Sequence, residues 1–340
     1  MSTVLLVAIL LGGAHAAEGL PSRVAFGSCA DEDKPQPIWE AVVAAEPDLF
    51  VFLGDNVYAD TIDMDQMRAA YAKLAAKPGF QKLRTTTPLL ATWDDHDYGA
   101  NDAGAEYPMK EASKQIFLDF FDEPADSERR SRPGVYTAAT WEAEGHRLQV
   151  ILLDCRTFRT GLASVADREA RKAQKMGIYT PIREGTMLGE DQWRWLEQQL
   201  REPADVRLIG TSTQLLGAFN GYEAWANLPH ERERMLRLLE ETGAGAHTLL
   251  LSGDTHWAEL SRVGDGDQVL FELTSSGLTE TWPTFGPNAH RVGEPYTEAN
   301  FGMVTIDWEA EPLVTLEVRD VEGRVQITHQ VKLPEVANKL

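Results

Sequence analysis

Pro47-Asp48-Leu49-Phe50-Val51-Phe52-Leu53-Gly54-Asp55-Asn56-Val57-Tyr58 is the stretch on which the fold turns. Leu49 to Leu53 is an unbroken apolar run of strand length, the pattern of a strand covered on both faces inside an α/β core. It ends in a glycine and a carboxylate. In open α/β sheets ligands gather where loops leave the carboxyl ends of strands, so Asp55 stands where a functional side chain belongs.

Three other apolar runs end in the same way. Arg23 to Gly27 leads into Ser28-Cys29, and Pro88 to Trp93 leads into Asp94-Asp95-His96-Asp97. His247 to Ser252 leads into Gly253-Asp254-Thr255-His256. Each ending alone is weak, because Asp and His are also ordinary turn and capping residues and a lone Cys is usually a small buried hydrophobe. Repetition is what counts. A sheet brings its strand ends together, and a row of titratable groups after a buried strand is costly unless a cation compensates it.

Bulk composition narrows the function classes. The 340 residues are 43% hydrophobic and 25% charged, enough for one large core. Fifty-three acidic against 32 basic side chains give a net charge of −21, which excludes a broad surface for nucleic acid or anionic lipid and requires any anionic substrate to find a local positive centre. Cys29 and Cys155 are the only cysteines, so a disulfide scaffold is excluded, although one bridge between them is open. Val4 to Leu11 followed by Ala14-His15-Ala16 reads as a secretory leader over residues 1–16, too short to span a bilayer and with only the terminal amine before it as positive charge. The expectation is an exported chain with no stable membrane anchor and one domain over residues 17–340; a misplaced start codon is the alternative.

Between these strand ends, Pro37 opens a helix through Trp39 and Val43, completing a β-α-β unit with parallel strands. Asp63 caps a helix over Met64–Ala76 that Pro78-Gly79 stops, and Lys110–Phe121 is an amphipathic helix. Asp122 to Pro133 reads as a polar surface connection, and Val135–Trp141 with His146–Leu153 as a hairpin. Thr160 to Thr186 lacks periodicity and is expected as a flap near the site. Helices through Trp193–Leu200 and His230–Thr242 flank a strand at Val206–Gly210, with Trp193, Trp195, Leu196 and Leu200 as core. Val269 to Thr274, Gly302 to Asp307, Val314 to Val318 and Val325 to Val331 read as antiparallel β structure.

Thiolate, phenolate, imidazole and carboxylate together suit a pair of metal ions, with Asp55 as the shared carboxylate. A ferric or borderline ion suits the mixed ligands, and calcium, magnesium or manganese suits the all-oxygen neighbours.

The motifs Phe26-Gly27-Ser28-Cys29, Gly54-Asp55-Asn56-Val57-Tyr58, Trp93 to Asp97, Leu153-Asp154-Cys155-Arg156-Thr157-Phe158-Arg159 and Ser252 to His256, in this order, resemble the PhoD-like (alkaline phosphatase D) branch of the calcineurin-like metallophosphoesterases. The resemblance runs from Arg23 to at least Trp308. It implies an α/β fold, a four-layer α-β-β-α sandwich with mixed sheets, and an exported phosphatase or phosphodiesterase acting on small phosphate esters through metal-activated water. It further implies Cys29, Asp55, Tyr58 and His256 around ferric iron, and Asp55, Asp95 and Asp254 around calcium, with zinc, manganese and magnesium as alternatives. His96 would donate a proton to the leaving group. Arg156 would grip a phosphate oxygen or else pair Asp154, and Asn101 and Arg159 are further substrate-binding candidates. The family's fourth-motif histidine has only Gln214 as a counterpart. A non-catalytic calcium- or phosphate-binding protein on the same scaffold is the alternative function, and a cysteine hydrolase is disfavoured because neither cysteine lies in a nucleophile-elbow pattern.

Overall fold

The computed structural model describes residues 19–174, 176–266, 269–309 and 311–335, so the expected leader over residues 1–16 lies outside the described residues. The chain runs β1 (Arg23–Gly27), α1 (Ile38–Ala44), β2 (Leu49–Leu53), α2 (Met64–Ala75), α3 (Pro78–Thr86), β3 (Leu89–Thr92), α4 (Asp95–Tyr98), α5 (Lys110–Phe120) and α6 (Glu128–Ser131). A hairpin of β4 (Thr137–Ala143) and β5 (His146–Leu152) follows, and then two short strands, β6 (Ala163–Ser164) and β7 (Tyr179–Thr180), enclosing α7 (Arg168–Ala173). Next come α8 (Gly189–Arg201), β8 (Val206–Thr211), α9 (Pro229–Glu241), β9 (Thr248–Ser252), β10 (Ala258–Val263) and β11 (Leu270–Ser275). The chain closes with β12 (Arg291–Tyr296), β13 (Asn300–Asp307), β14 (Leu313–Asp320) and β15 (Val325–Lys332).

Two mixed sheets result, ordered β15-β14-β13-β1-β2-β3 and β12-β10-β11-β9-β8-β5-β4. The expected β-α-β unit is present, with β1, β2 and β3 parallel in consecutive register. Side-chain alternation along β2 explains its unbroken apolar run. Leu49, Val51 and Leu53 point into the core between the sheets with Leu208, Leu249 and Leu251 of the second sheet. Phe50 and Phe52 point the other way and pack with Trp39 and Phe80 beneath the first helical layer. The second sheet repeats the arrangement, since Ile151, Ile209 and Leu250 face Trp193, Leu196 and Leu200 of α8 and Met235 and Leu239 of α9. The result is the four-layer α-β-β-α sandwich.

Some elements depart from the sequence reading. Pro78-Gly79 ends one helix and also begins α3, because proline at a first helical turn gives up an N–H that would be unpaired anyway. The segment Asp122–Pro133 is not wholly superficial: Arg129 of α6 is buried and donates to the carbonyls of Ala91 and Val135, each at 2.8 Å. β10 and β12 go unread, the first because Glu259 and Ser261 break its apolar character and the second because Gly293 and Pro295 sit on an outer strand. The C-terminal strands β13, β14 and β15 are antiparallel as expected, and β11 is antiparallel to β10 while its other edge runs parallel to β9. Both cysteines are buried free thiols, so the open disulfide is not formed.

Gly54 fixes how closely β2 and β3 approach at their carboxyl ends. Its φ is +105°, and a Cβ there would lie 2.4 Å from Asp94 Cβ and 2.6 Å from the Asp94 nitrogen. Gly54→Ala is therefore expected to destabilise the fold by about 2–4 kcal/mol, combining backbone strain with forced separation of the two strands. Chemical denaturation monitored by tryptophan fluorescence measures it; a midpoint equal to that of the wild type would contradict this account.

Candidate metal centre

The loops leaving β1, β2, β3 and β9 carry Cys29, Asp55, Asp94 with Asp95, and Asp254 with His256. Four of these residues hold left-handed backbone, with φ of 64° at Cys29, 48° at Asp55, 69° at Asp254 and 63° at His256. Residues other than glycine adopt this conformation uncommonly, Asp and His less so than Cys, and four such residues together mean that the surroundings over-determine it. Backbone bonds from Cys29 N to Gly54 O (3.3 Å) and from Ala30 N to Asp55 O (2.8 Å) lock the first two loops together. Gly253 N donates to Ser212 O at 2.9 Å within the second sheet, and Leu278 N, after β11, donates to Ser28 O, after β1, at 3.1 Å, so the two sheets meet at this turn.

The four residues from Asp94 to Asp97 divide their work. Asp97 is buried and accepts the N–H groups of Asp94 (2.8 Å) and Asp55 (3.2 Å), tying two loops; Asn56 and Tyr71 donate to its other oxygen. Asp94 faces the guanidinium of Arg156. Asp95 accepts the N–H of Asp102 at 2.6 Å. His96 stacks on Tyr58 at 4.2 Å and shares a 2.7 Å bond between its Nδ1 and Asp60.

Two ligand groups share Asp55. In the first, donor atoms of Cys29, Asp55 and His256 lie within 4.8 Å of one another; in the second, so do those of Asp55, Asp94, Asp95 and Asp254, and Asp55, Asp95 and His96 form a set that overlaps it. The Cys29 thiol donates to Asp55 Oδ2 at 3.4 Å, and Tyr58 places its hydroxyl 3.1 Å from His256 Nε2, so the phenol joins the first group. The residues named from the sequence as metal ligands, Cys29, Asp55, Tyr58, Asp95, Asp254 and His256, are thus brought to one place. This donor set fits a pair of cations. Mixed thiol, phenol and imidazole donors suit a ferric or borderline ion, and the carboxylates suit a hard one. Orphaned polar atoms point the same way: His256 Nδ1 and Asp94 Oδ2 are buried without hydrogen-bond partners.

Electrostatics supply an independent fit. Burial, followed by repulsion from Asp95 and Cys29, pushes the Asp55 carboxyl well above its ordinary value, and burial with Asp94 and Glu223 does the same to Asp254. Asp94 is pushed up by burial to about 8 despite Arg156, and burial pushes the Cys29 thiol up to about 12. Asp95 is the exception. Burial pushes it up as well, but Arg156, His96 and the Asp102 N–H outweigh that and hold it below the carboxylate range. Burial also pushes His96 down, yet Asp60 and Asp95 outweigh it and raise the ring to about 9. His256, buried and facing His96, is pushed down to about 4, the neutral form a metal ligand needs.

A cavity of about 410 Å³ opens over the second group, lined by Asp95, His96, Asp254 and His256 and, opposite them, by Arg168, Lys172, Tyr179, Tyr222 and Trp282. The segment read as a flap forms this opposite wall, and it is fastened: Tyr179 N donates to Gly221 O at 2.8 Å and Ile182 N to Asn227 O at 2.8 Å. Asn101 lines the cavity and is exposed. Arg156 and Arg159 do not reach it. Arg156 is fully buried between Asp94 and Glu223, and Arg159 donates to the carbonyls of Asp102 and Ala103 beside Glu223. Most of their donors are engaged inside the protein, although Arg159 Nε has no hydrogen-bond partner, so the expected grip on a phosphate oxygen is corrected to a structural one, with Asp94 and Glu223 rather than Asp154 as the carboxylate partners of the Arg156 guanidinium. Gln214 donates to Glu259 (2.7 Å) and Thr274 (3.0 Å), which commits its amide nitrogen away from the ligand groups. Sequence reading missed Asp102 and Glu223, which form a third cluster with Asp95. No strand-end pattern marks Glu223; its loop becomes visible only through Arg156.

A family model described as PhoD-like phosphatase matches residues 24–330. No curated protein sequence matches the chain. Among solved structures, that of PhoD is similar with a TM-score of 0.65 at 15% identity, over 96% of this chain and 74% of that one. Purple acid phosphatase PPD1 from yellow lupin (Lupinus luteus) seeds gives a TM-score of 0.61 at 12% identity, over 94% of this chain and 55% of that one. GAP50, the anchor in the inner membrane complex of Plasmodium, gives 0.59 at 14% identity, over 94% and 90%. At such identities the likeness is one of fold, and chemistry must be argued from the site.

The raised carboxyl values carry a sign. Groups held above their unfolded values stabilise the metal-free fold fully below about pH 4, and that stabilisation is lost as pH climbs through the raised values, which reach about 8 at Asp94. A cation binds the ionised form and reverses this. The increase in melting temperature on restoring metal to chelator-treated protein is therefore expected to be larger at pH 8 than at pH 5; an increase independent of pH would contradict the assignment of these carboxylates.

Proposed function

The chain belongs to the PhoD-like phosphatase family, and from that premise we propose an exported, metal-dependent phosphoesterase that hydrolyses small phosphate esters at the Asp55 centre, with ferric iron held by Cys29, Asp55, Tyr58 and His256 and calcium by Asp55, Asp95 and Asp254. The observation that carries it is the single carboxylate common to both ligand groups, set beside a cavity that His96 lines. Metal ions held by these residues would supply the polarisation of the phosphoryl oxygens and the activation of water that in-line displacement at phosphorus requires.

The protein's own groups do the rest. His96 is oriented by Asp60 at Nδ1 and by stacking on Tyr58, which leaves Nε2 to serve the cavity. Its raised pKa keeps it protonated near neutral pH, and it gives that proton to the departing alkoxide. Arg156 holds Asp94 and Asp95 in place without touching substrate. The buried thiols take no nucleophilic part, since burial pushes both Cys29 and Cys155 up to about 12. Export is consistent with the leader-like start of the chain, and no helix among the described residues is long and apolar enough to cross a membrane.

Three variants test the proposal. Asp55→Asn is expected to lose bound metal, by elemental analysis, together with hydrolysis of p-nitrophenyl phosphate and bis-p-nitrophenyl phosphate. His96→Ala should keep its metal while kcat falls roughly 10²–10⁴-fold. Full activity in either variant, or no hydrolysis by metal-replete wild type, would reject the mechanism. For the iron assignment, Tyr58→Phe should abolish a visible phenolate-to-iron absorption band; an active, iron-free, colourless wild type would exclude it.

A further inference from the structure

With Arg156 and Arg159 spent inside the protein, an anionic substrate must find its positive centre elsewhere, and the cavity supplies one. Arg168 and Lys172 line its outer wall from α7. Their four-residue spacing places them on one face of that helix. Neither is in a salt bridge among the described residues, and the Arg168 side chain makes a long hydrogen bond to Ser164 Oγ at 3.5 Å. In a chain of net charge −21, two cations without counter-ions beside a cavity are unusual, because acidic side chains are plentiful to pair them.

The wall that carries them is built rather than loose. Arg171 Nε donates to Gly177 O at 2.7 Å, closing the turn after α7. Gly177 presses on the loop at Gly221 so closely that a Cβ on it would lie 2.4 Å from the Gly221 carbonyl carbon. Tyr179, which also lines the cavity, donates its hydroxyl to Asp102, and Asp102 N donates to Asp95, so the wall that carries α7 is connected to Asp95 through two hydrogen-bonded residues.

A second feature adjoins it. Trp282 lines the cavity yet remains 41% exposed, with its ring meeting His256 edge to face at 5.2 Å and Tyr222 at 5.8 Å. Met176 of the opposite wall is 44% exposed. Large apolar surface left open at the mouth of a polar cavity marks a place for a partner group.

We propose that Arg168 and Lys172 bind a second anionic group of the substrate, beyond the phosphate under attack, while Trp282 receives a planar ring. The substrate class is then nucleotide-like: a phosphate ester or phosphoanhydride whose other portion bears a further phosphate and an aromatic ring. This rests on the proposed phosphoesterase reading and deepens it. Arg168 and Lys172 select the substrate and take no part in bond breaking.

The test uses the metal-loaded full chain and compares calorimetric affinities for inorganic phosphate and for the methylene-bridged analogue of adenosine diphosphate. Wild type is expected to bind the analogue at least ~10-fold tighter than phosphate, an advantage that shrinks as salt rises. Arg168→Gln with Lys172→Gln should erase the advantage, and the charge-preserving exchange Arg168→Lys with Lys172→Arg should retain it. Trp282→Ala should reduce it by weakening the analogue alone. Equal affinity of wild type for the two ligands, or an advantage that survives the neutral double variant, overturns the inference. These are binding measurements, so they stand whether or not p-nitrophenyl phosphate is hydrolysed; absence of that hydrolysis counts against the phosphoesterase reading instead.

Discussion

Mutual repulsion among carboxylates held in a water-poor pocket is the constraint around which this molecule is arranged. Asp55, Asp94, Asp95 and Asp254 bring donor atoms within 4.8 Å of one another, and the fold holds them there by force elsewhere. Arg156 supplies one permanent positive charge, buried between Asp94 and Glu223. Asp97 supplies backbone anchorage by accepting N–H groups from two loops at once. Gly54 supplies the closeness, since no side chain fits between the ends of β2 and β3. What these devices leave uncompensated is a demand for cations, and the softer donors Cys29, Tyr58 and His256 grade that demand from one side of Asp55 to the other.

The same constraint separates positioning from binding among the arginines. A guanidinium that is fully desolvated and flanked by two carboxylates is a structural ion, and removing it would strand buried negative charge. Arg156 is of this kind. Arg168 is of the other: exposed, without a salt bridge among the described residues, and lining the cavity. Residue type alone does not distinguish them; the difference lies in what the rest of the chain places nearby.

That difference also marks how far the sequence could be read. The run Leu49–Leu53 announced two-sided burial, because both alternating sets of side chains had to be apolar, and Phe50 and Val51 do enter different cores. Strand ends were legible because sharp apolar-to-polar boundaries are local, and Cys29, Asp55, Asp95 and Asp254 all followed one. Pairings over long separations were not. Nothing local tells that Arg156 meets Glu223, 67 residues on, or that Asp102 and Tyr179 bond across 77. α3 and β12 were lost for a different reason. Proline and glycine punctuate by breaking structure in some settings and by starting or ending it in others, and only packing against Trp39, or position on an outer strand, decides which.

The left-handed turns at Cys29, Asp55, Asp254 and His256 have a consequence for the order in which the molecule is built. Tyr58 and His256 meet across 198 residues, so two of the six candidate ligands, Asp254 and His256, belong to a sheet completed late in the chain. Each turn is strained by itself and becomes favourable only when its neighbours across the seam are in place. A nascent chain that has made β1, β2 and β3 therefore presents a partial set of oxygen and sulfur donors without the geometry to retain an ion pair. Assembly of the centre and closure of the two sheets are one event, so the ligand site works as a latch that shuts only on a finished fold.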